Sequence, residues 1–310
     1  MISCSVGMRA KVTITPHSVL KFVTSHEECQ IQKSKDLQLQ GDHFDIARAI
    51  LGYMGLPDVS CSVEYESTIP MQSGLSGSTA LLVALLQGLL TWQNKYPSRY
   101  QLAEMARYIE LNHLKVVCGY QDAYMCVFGG LNYMDFRGKQ FNREAKTELF
   151  ATIEPLGLYM SKYHDLPFLF ALTGVQRVSG SVHKPLRDRW LEGDREVVQS
   201  YERITEIAQL GKKALLNYDW SFLGQLMNEN HAIQRNLGGS GESNEQLISA
   251  ALEVGALGAK LAGAGEGGTI IALWPYEDKG TLEQALLNAG AIACYRPVID
   301  EGVTIEEEKN

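Results

Sequence analysis

Three short segments of this 310-residue chain hold residue types at spacings that could do chemistry. In Pro70-Met-Gln-Ser-Gly-Leu-Ser-Gly-Ser-Thr-Ala80 a strand pattern runs into a loop of small residues, and then into a helix beginning near Ser78. Small residues let the backbone approach a ligand, and the unpaired amides of a helix's first turn carry partial positive charge that suits a phosphate chain. A plainer reading is a glycine-serine turn in which Ser78 N-caps a core helix, and the residues alone leave both open. The second segment, Gly263-Ala-Gly-Glu-Gly-Gly268, matches G-x-G-x-x-G in form. It reads as following a helix and preceding a strand, the reverse of a dinucleotide-binding turn, and the position 20 residues past Gly268 is Asn288 rather than an acid. Gly268-Thr269 also lacks the lysine of a Walker A loop. Four glycines in six residues cost conformational entropy, which favours close backbone approach to a ligand over a turn that one glycine could make. The third segment, Cys118-Gly-Tyr-Gln-Asp122-Ala-Tyr, is followed by Phe128-Gly-Gly130. An aspartate between a glycine turn and a double glycine suits a tight site where a carboxylate meets a substrate hydroxyl. An ordinary surface turn uses the same residues.

The elements that must position these segments follow from hydrophobic periodicity. Met8, Ala10, Val12 and Ile14 alternate with Arg9, Lys11 and Thr13, and Cys61, Val63, Tyr65, Ser67 and Ile69 alternate in the same way; each set predicts a strand with one face on a core. Leu82, Leu85, Leu86 and Leu89 fall at helical spacing with apolar residues on the other faces too, so the helix from Ser78 is central to its domain. Leu102, Met105, Ala106 and Ile109 mark a second helix, with Glu110 near its C-terminal end. Leu166 to Leu172 reads as a buried strand. Helical stretches around Val197 to Ala208, Phe222 to Ile233 and Glu245 to about Gly258 then lead into the glycine-rich run and a strand from Thr269 to Trp274. Strands followed by runs of helices predict an α+β fold.

Composition excludes several classes. With 28 Lys+Arg against 36 Asp+Glu the net charge is −8, which argues against a nucleic-acid binder because such a protein presents a basic face to phosphates. Any phosphate must then be held by backbone amides and a divalent cation. The length predicts two domains. The most apolar run, Thr79 to Trp92, is interrupted by Gln87 and Gly88 and is shorter than the ~20 residues of a spanning helix, so no membrane segment is expected. Six scattered cysteines without C-x-x-C, and no signal peptide, predict reduced thiols in a cytoplasmic protein.

In this order along the chain, the three segments resemble those of the GHMP kinases, the superfamily of galactokinase, homoserine kinase, mevalonate kinase and phosphomevalonate kinase. The first is similar to its P-x-x-x-G-L-G-S-S-A-A loop, and Lys260-Leu-Ala-Gly263-Ala-Gly-Glu-Gly-Gly268 to its K-x-x-G-A-G-G-G-G loop. Gly119-Tyr-Gln-Asp122, Gly129-Gly130…Met134-Asp135-Phe136 and Ser181-Val-His183…Arg189-Trp-Leu-Glu-Gly-Asp194 resemble plant-type glucuronokinases, and heptose-phosphate kinases share part of the pattern.

The resemblance implies two α+β lobes, the first like ribosomal protein S5 domain 2 over residues 1–164 and the second ferredoxin-like over 165–310, with ATP and a sugar between them. It implies that Gly74, Leu75, Ser76, Gly77, Ser78 and Thr79, with Gly263, Gly265 and Gly267, hold the triphosphate. Ser78 and Glu110 are the implied Mg²⁺ ligands, and Asp122 the carboxylate that orients and deprotonates the acceptor hydroxyl. Gly119, Gly265, Arg177 and Ser179 are expected on the sugar side. For Glu110 a surface carboxylate on an amphipathic helix stays open, as does a surface loop for Arg177 and Ser179. The expected reaction is transfer of the γ-phosphate to a sugar hydroxyl, with the anomeric hydroxyl of glucuronate favoured. A heptose phosphate, or a non-catalytic nucleotide-binding protein of the same fold, are the alternatives. A homodimer is left open.

Two departures stand out. The superfamily's N-terminal glycine- and asparagine-containing motif has no counterpart, since Met1-Ile-Ser-Cys reads as the strand after it; either the sequence starts late or part of the acceptor site is lost. Glu266 replaces a glycine, and a carboxylate there repels phosphate unless it points away or meets Mg²⁺.

Overall fold

The computed structural model describes residues 1–55, 60–70, 73–139, 148–160, 165–175, 186–263 and 265–307. Two alternating segments pair as the period-2 pattern requires. Strand β2 (Ala10–Pro16) runs antiparallel to β5 (Cys61–Ser67), and β5 is also parallel to β3 (Lys21–Val23), which pairs with β4 (Glu28–Gln30). Helix α2 (Gly77–Trp92) packs on β2 and β5, and α1 (Asp45–Met54), α3 (Arg99–Asn112) and α4 (Gln121–Phe128) pack with α2 in the same core cluster. Helix α2 buries Leu82, Val83, Leu85, Leu86, Leu89 and Leu90, so it is apolar nearly all round, as its sequence predicts for a core helix. At ~25 cal/mol per Å² of apolar surface, this packing dominates the stability of the N-terminal half.

A second sheet joins β1 (Ile2–Cys4), β6 (Leu131–Asp135) and β7 (Thr152–Pro155), all antiparallel. The third has the order β11-β8-β10-β9, from β8 (Phe168–Leu172), β9 (Gly258–Leu261), β10 (Thr269–Leu273) and β11 (Ala293–Tyr295), again antiparallel. It packs with α5 (Arg195–Leu216), α6 (Trp220–Asn236), α7 (Glu242–Glu253) and α8 (Gly280–Asn288). Leu131 and Leu156 of the middle region share a core cluster with Leu215, Leu223 and Leu273, so that sheet is packed onto the C-terminal half. The fold is α+β, as expected.

One expectation fails. The helix read from Glu245 to about Gly258 stops at Glu253, and a strand, β9, stands between it and the glycine run. The run is therefore the turn of a β9–β10 hairpin, not a helix-to-strand connection. Four-residue β9 was hidden because Gly258-Ala-Lys-Leu261 is too short and too poor in β-branched residues to show a period of its own.

Among the described residues no helix is long and apolar enough to cross a membrane, and all six cysteines are free thiols.

Candidate active site

Strand β5 delivers the chain to Pro70, and the loop that follows turns into α2 through two left-handed residues, Gly74 (φ 78°) and Ser76 (φ 58°). Ser76, not Ser78, is the residue at the N-cap, and its hydroxyl makes no capping bond. It donates instead to Asp122 Oδ1 across 2.8 Å. The first helical bond runs from the Ala80 amide to the Ser76 carbonyl, so the amides of Gly77, Ser78 and Thr79 precede the ladder, and the side chain that normally caps them is turned away. Helix starts of this kind attract anions. Ser78 is exposed beside them, and Leu75 and Gly77 are half-buried. A Cβ at Gly77 would lie 3.1 Å from Ile69 Cγ2, so the helix start is packed closely on the end of β5.

The next side chain in α2 faces inward. Thr79 is buried, and its Oγ1 donates to Glu110 Oε1 at 3.0 Å, with the Cys118 thiol bonded to the same carboxylate. Glu110 is only 5% exposed, so it is no surface carboxylate. Burial first, and then the charge of Asp122, push its carboxyl up to about 7, against the opposing pull of Thr79, Cys118 and the Arg107 charge. A buried carboxyl raised in part by the charge of a second one, with Ser78 one residue before Thr79 on α2, supplies oxygen donors of the type that suits a hard divalent cation.

Asp122 is the second residue of α4, where a carboxylate complements the helix dipole. The helix start is held from both sides: Gln121 Nε2 donates to Ser3 Oγ of β1 at 2.9 Å, and the Arg107 guanidinium lies 3.8 Å from the Tyr120 ring centroid. Beneath it, Tyr120 donates to Glu148 at 2.7 Å and Tyr124 to Glu104, while Lys139 pairs with both carboxylates. Gly119 is exposed just ahead of the helix.

The double glycine expected beside the aspartate does something else. Gly129 (φ 60°) ends α4, seven residues from Asp122, and a Cβ there would sit 2.0 Å from the Gly302 amide nitrogen. A C-terminal segment crosses at this point. It is fixed by Arg9, which donates to Asp300 Oδ2 (3.0 Å) and to the carbonyls of Glu301 (3.0 Å) and Gly302 (3.2 Å). Gly129 thus serves packing at the far end of the helix, and Gly130 (φ 74°) the turn that leads into β6.

The glycine hairpin meets the α2 loop directly: Thr269 Oγ1 donates to the Ser73 carbonyl at 2.6 Å, with both residues buried. Its glycines are demanded by crowding. A Cβ at Gly265 (φ 91°) would fall 1.4 Å from the Gly239 carbonyl oxygen, and one at Gly267 (φ 114°) 2.7 Å from that of Val175. The Gly267 amide is already spent on Asn244 Oδ1 (2.6 Å) and that of Gly268 on the Val175 carbonyl (3.1 Å). The Gly267 amide, expected from the sequence at a phosphate, is thus bonded within the protein in this structure. Gly263 is exposed, and Glu266, also exposed, adopts a left-handed φ of 55°. Lys260, which opens the motif, turns its ammonium to the Leu261 carbonyl, and burial lowers it to about 8.

Ser76, Thr79, Glu110 and Asp122 are thus brought together, with Ser78 at the same helix start and the hairpin joined through Thr269. Arg177 and Ser179 lie outside the described residues, as does Ala264 within the glycine run. Sequence reasoning missed Asn244 and Thr269. For Asn244 the signal was an amide at a position of α7 whose helical spacing, with Leu247, Ile248 and Ala251, calls for an apolar residue.

Residues 43–130 match the GHMP kinases N terminal domain and residues 212–292 the GHMP kinases C terminal. The chain is 32% identical over 228 residues to Glucuronokinase 1 of Arabidopsis thaliana, covering 71% of this chain and 59% of that protein. It is 26% identical over 214 residues to the D-glycero-alpha-D-manno-heptose 7-phosphate kinase of Campylobacter jejuni, covering 68% and 60%. It spans about three fifths of the length of these relatives. The fold is similar to that of Lactococcus lactis galactokinase complexed with galactose, with a TM-score of 0.79 at 17% identity over 98% of this chain and 88% of that one.

Proposed function

This chain belongs to the GHMP kinases, the two matched segments together covering more than half of it, and on that footing we propose that it transfers the γ-phosphate of ATP to a sugar hydroxyl. The observation that carries the reading is the 2.8 Å bond from Ser76 to Asp122, which sets a carboxylate beside the uncapped amides of α2. A phosphate chain at those amides and a hydroxyl at that carboxylate are neighbours, the arrangement that phosphoryl transfer requires before any other.

In the proposed reaction the acceptor oxygen forms a bond to the γ-phosphorus as the bond to the β-phosphate oxygen breaks, and ADP leaves. The hydroxyl proton passes to Asp122, which Ser76 holds in place. Oxygens of Ser78 and Glu110 fit Mg²⁺, which when bound neutralises developing charge on the phosphates. Glu110 must be ionised to ligate it, so the divalent ion competes with the proton that burial favours on this carboxyl. With no basic face in its composition, the protein relies on oriented amides for the rest.

For the acceptor we favour the anomeric hydroxyl of D-glucuronate, supported by the similarity to Glucuronokinase 1. The likeness to the heptose 7-phosphate kinase supports a heptose phosphate as the second candidate. ADP release, measured with Mg·ATP against a panel of free sugars, uronates and sugar phosphates, separates the two. Asp122→Asn should lower turnover on the accepted sugar by at least about a hundredfold, the low end of what a positioned base contributes, while nucleotide affinity stays within about threefold. Wild-type turnover in that variant would refute the role of Asp122.

A further inference from the structure

Asn244 sits at the third position of α7 and is fully buried. It lies on the face that carries Leu247, Ile248 and Ala251, all buried. A side-chain amide placed there loses its water on folding and is tolerated only when its polar atoms are bonded. The bonding found is reciprocal and goes to one residue. Asn244 Nδ2 donates to the Gly267 carbonyl at 3.0 Å, and the Gly267 amide donates to Asn244 Oδ1 at 2.6 Å. The side chain acts as a strand of one residue would. It takes over where the β9–β10 ladder stops, since the last bond of that hairpin runs from the Ala262 amide to the Thr269 carbonyl.

The same junction packs against the loop on two further sides. The Gly239 carbonyl fills the space beside Gly265, and a Cβ on Gly241 would stand 3.0 Å from Glu266 Cα. The turn is thereby seated on residues 239–244, and Asn244 supplies the directional bonds that fix its height and register. Because Gly267 spends its amide on Asn244, this glycine contributes to the loop's shape and not to ligand bonding.

We infer that Asn244 is a positioning residue for nucleotide: it holds the glycine hairpin against the α2 loop and so sets Mg·ATP affinity without touching the ligand. This rests on the kinase reading above. Loss of the anchor should weaken nucleotide binding far more than acceptor binding, because Asp122 and Ser76 are positioned by α4 and α2, elements that Asn244 does not contact.

The test uses the full chain and three measurements: direct titration with Mg·ATP, steady-state kinetics on the accepted sugar, and thermal unfolding. Asn244→Asp keeps the acceptor oxygen for the Gly267 amide and replaces the donor with a charge. At neutral pH its Kd and KM for Mg·ATP should rise about tenfold, the effect of losing one well-placed hydrogen bond, while the acceptor KM stays within about twofold. A buried carboxyl has a raised pKa, and once protonated it can donate again. The ratio of variant to wild-type affinity should therefore return toward one as pH falls. The neighbouring titratable groups, His231 on α6, Glu245 on α7, Lys260 on β9 and Glu266 in the turn, are present in both proteins and divide out of that ratio.

Should that variant not fold, Asn244→Ser, with a shorter donor and acceptor, is expected to give an intermediate rise. Equal losses in both KM values, or a lower unfolding temperature with unchanged nucleotide affinity, would overturn the inference and leave Asn244 a structural residue. A wild-type chain that binds no Mg·ATP would overturn the kinase reading and this inference together. Wild-type binding with an unaffected variant removes only the role of Asn244.

Discussion

At the start of α2 the backbone donors find no partner among the described residues, whereas in the β9–β10 turn two of them are taken up by the protein's own bonding. The natural cap of α2, Ser76, gives its hydroxyl to Asp122, and the amides of Gly77, Ser78 and Thr79 face away from any helical partner. In the hairpin, the amides of Gly267 and Gly268 end on Asn244 and Val175. Both loops are built from small residues, yet for different reasons. Glycine at 77 keeps a helix start close to Ile69, with a Cβ contact of 3.1 Å that a small shift relieves. At Gly265 and Gly267 it is required by main-chain carbonyls that cannot yield. The first loop is a donor array. The second is a fitted wall, tied to the first through Thr269 and Ser73.

Alanine at the two glycines is the strongest way to break this contrast. In Gly265→Ala a Cβ would have to occupy the space of the Gly239 carbonyl, 1.4 Å away, at a φ of 91° that side chains avoid. The turn must move off the α6–α7 junction, and Mg·ATP affinity should fall by about a hundredfold, near 3 kcal/mol, with a lower unfolding temperature. Gly77→Ala, within a helix, should change affinity by no more than about threefold. Nucleotide titration and thermal unfolding on both variants check this. Equal effects would mean that the hairpin is not a fitted wall.

Much of this was legible in the sequence, and the reasons for the rest are local. The periodic segments, β2, β5, α2 and α3, were readable because their burial repeats along the chain. The three chemical segments were readable because Gly, Ser and Asp cluster there. The identity of the α2 cap was not, because three small residues in a row, Ser76-Gly77-Ser78, offer the same local chemistry, and only the Asp122 partner forty-six positions away decides between them. The purpose of Gly129 was hidden for the same reason, since the Gly302 backbone that excludes a side chain there comes from the other end of the chain. A lone asparagine on the apolar face of α7, with Leu247, Ile248 and Ala251, shows that a polar group is buried there but not that its partner is Gly267, twenty-three positions away.

The next effect concerns Glu110, which belongs to the donor-array side. In the folded protein its carboxyl releases a proton near pH 7, and in the unfolded chain near 4.5, so between these values folding takes up a proton. The contribution is full below about 4.5 and is lost as pH rises through about 7; integrated, it amounts to at most about 3 kcal/mol. Denaturant unfolding of the metal-free protein should therefore show stability declining across that window. Glu110→Gln should flatten the slope. Added Mg²⁺ should oppose the decline in the wild type alone, since it selects the ionised form. An unchanged slope in the variant would assign the pH dependence to other groups.

Ser76 gives the smallest effect and the sharpest one, because it separates function from stability. The family's P-x-x-x-G-L-G-S-S-A-A loop has glycine where this chain has Ser76, and here the serine keeps a left-handed φ of 58°. A non-glycine residue holds that conformation only if something compensates, and the bond to Asp122 is the compensation in view. Ser76→Ala loses the bond and keeps the strain. Ser76→Gly loses the bond and relieves it. Both should lower turnover by about tenfold, the ~1.5 kcal/mol of a hydrogen bond to a charged group, with nucleotide affinity unaltered because the hydroxyl never capped the helix. The glycine variant should unfold at a higher temperature than the alanine variant, by the equivalent of about 1 kcal/mol. If nucleotide affinity fell in step with turnover in both, the hydroxyl would be serving the α2 amides after all. The donor array would then be capped in solution, and the contrast between the two loops would lose its first half.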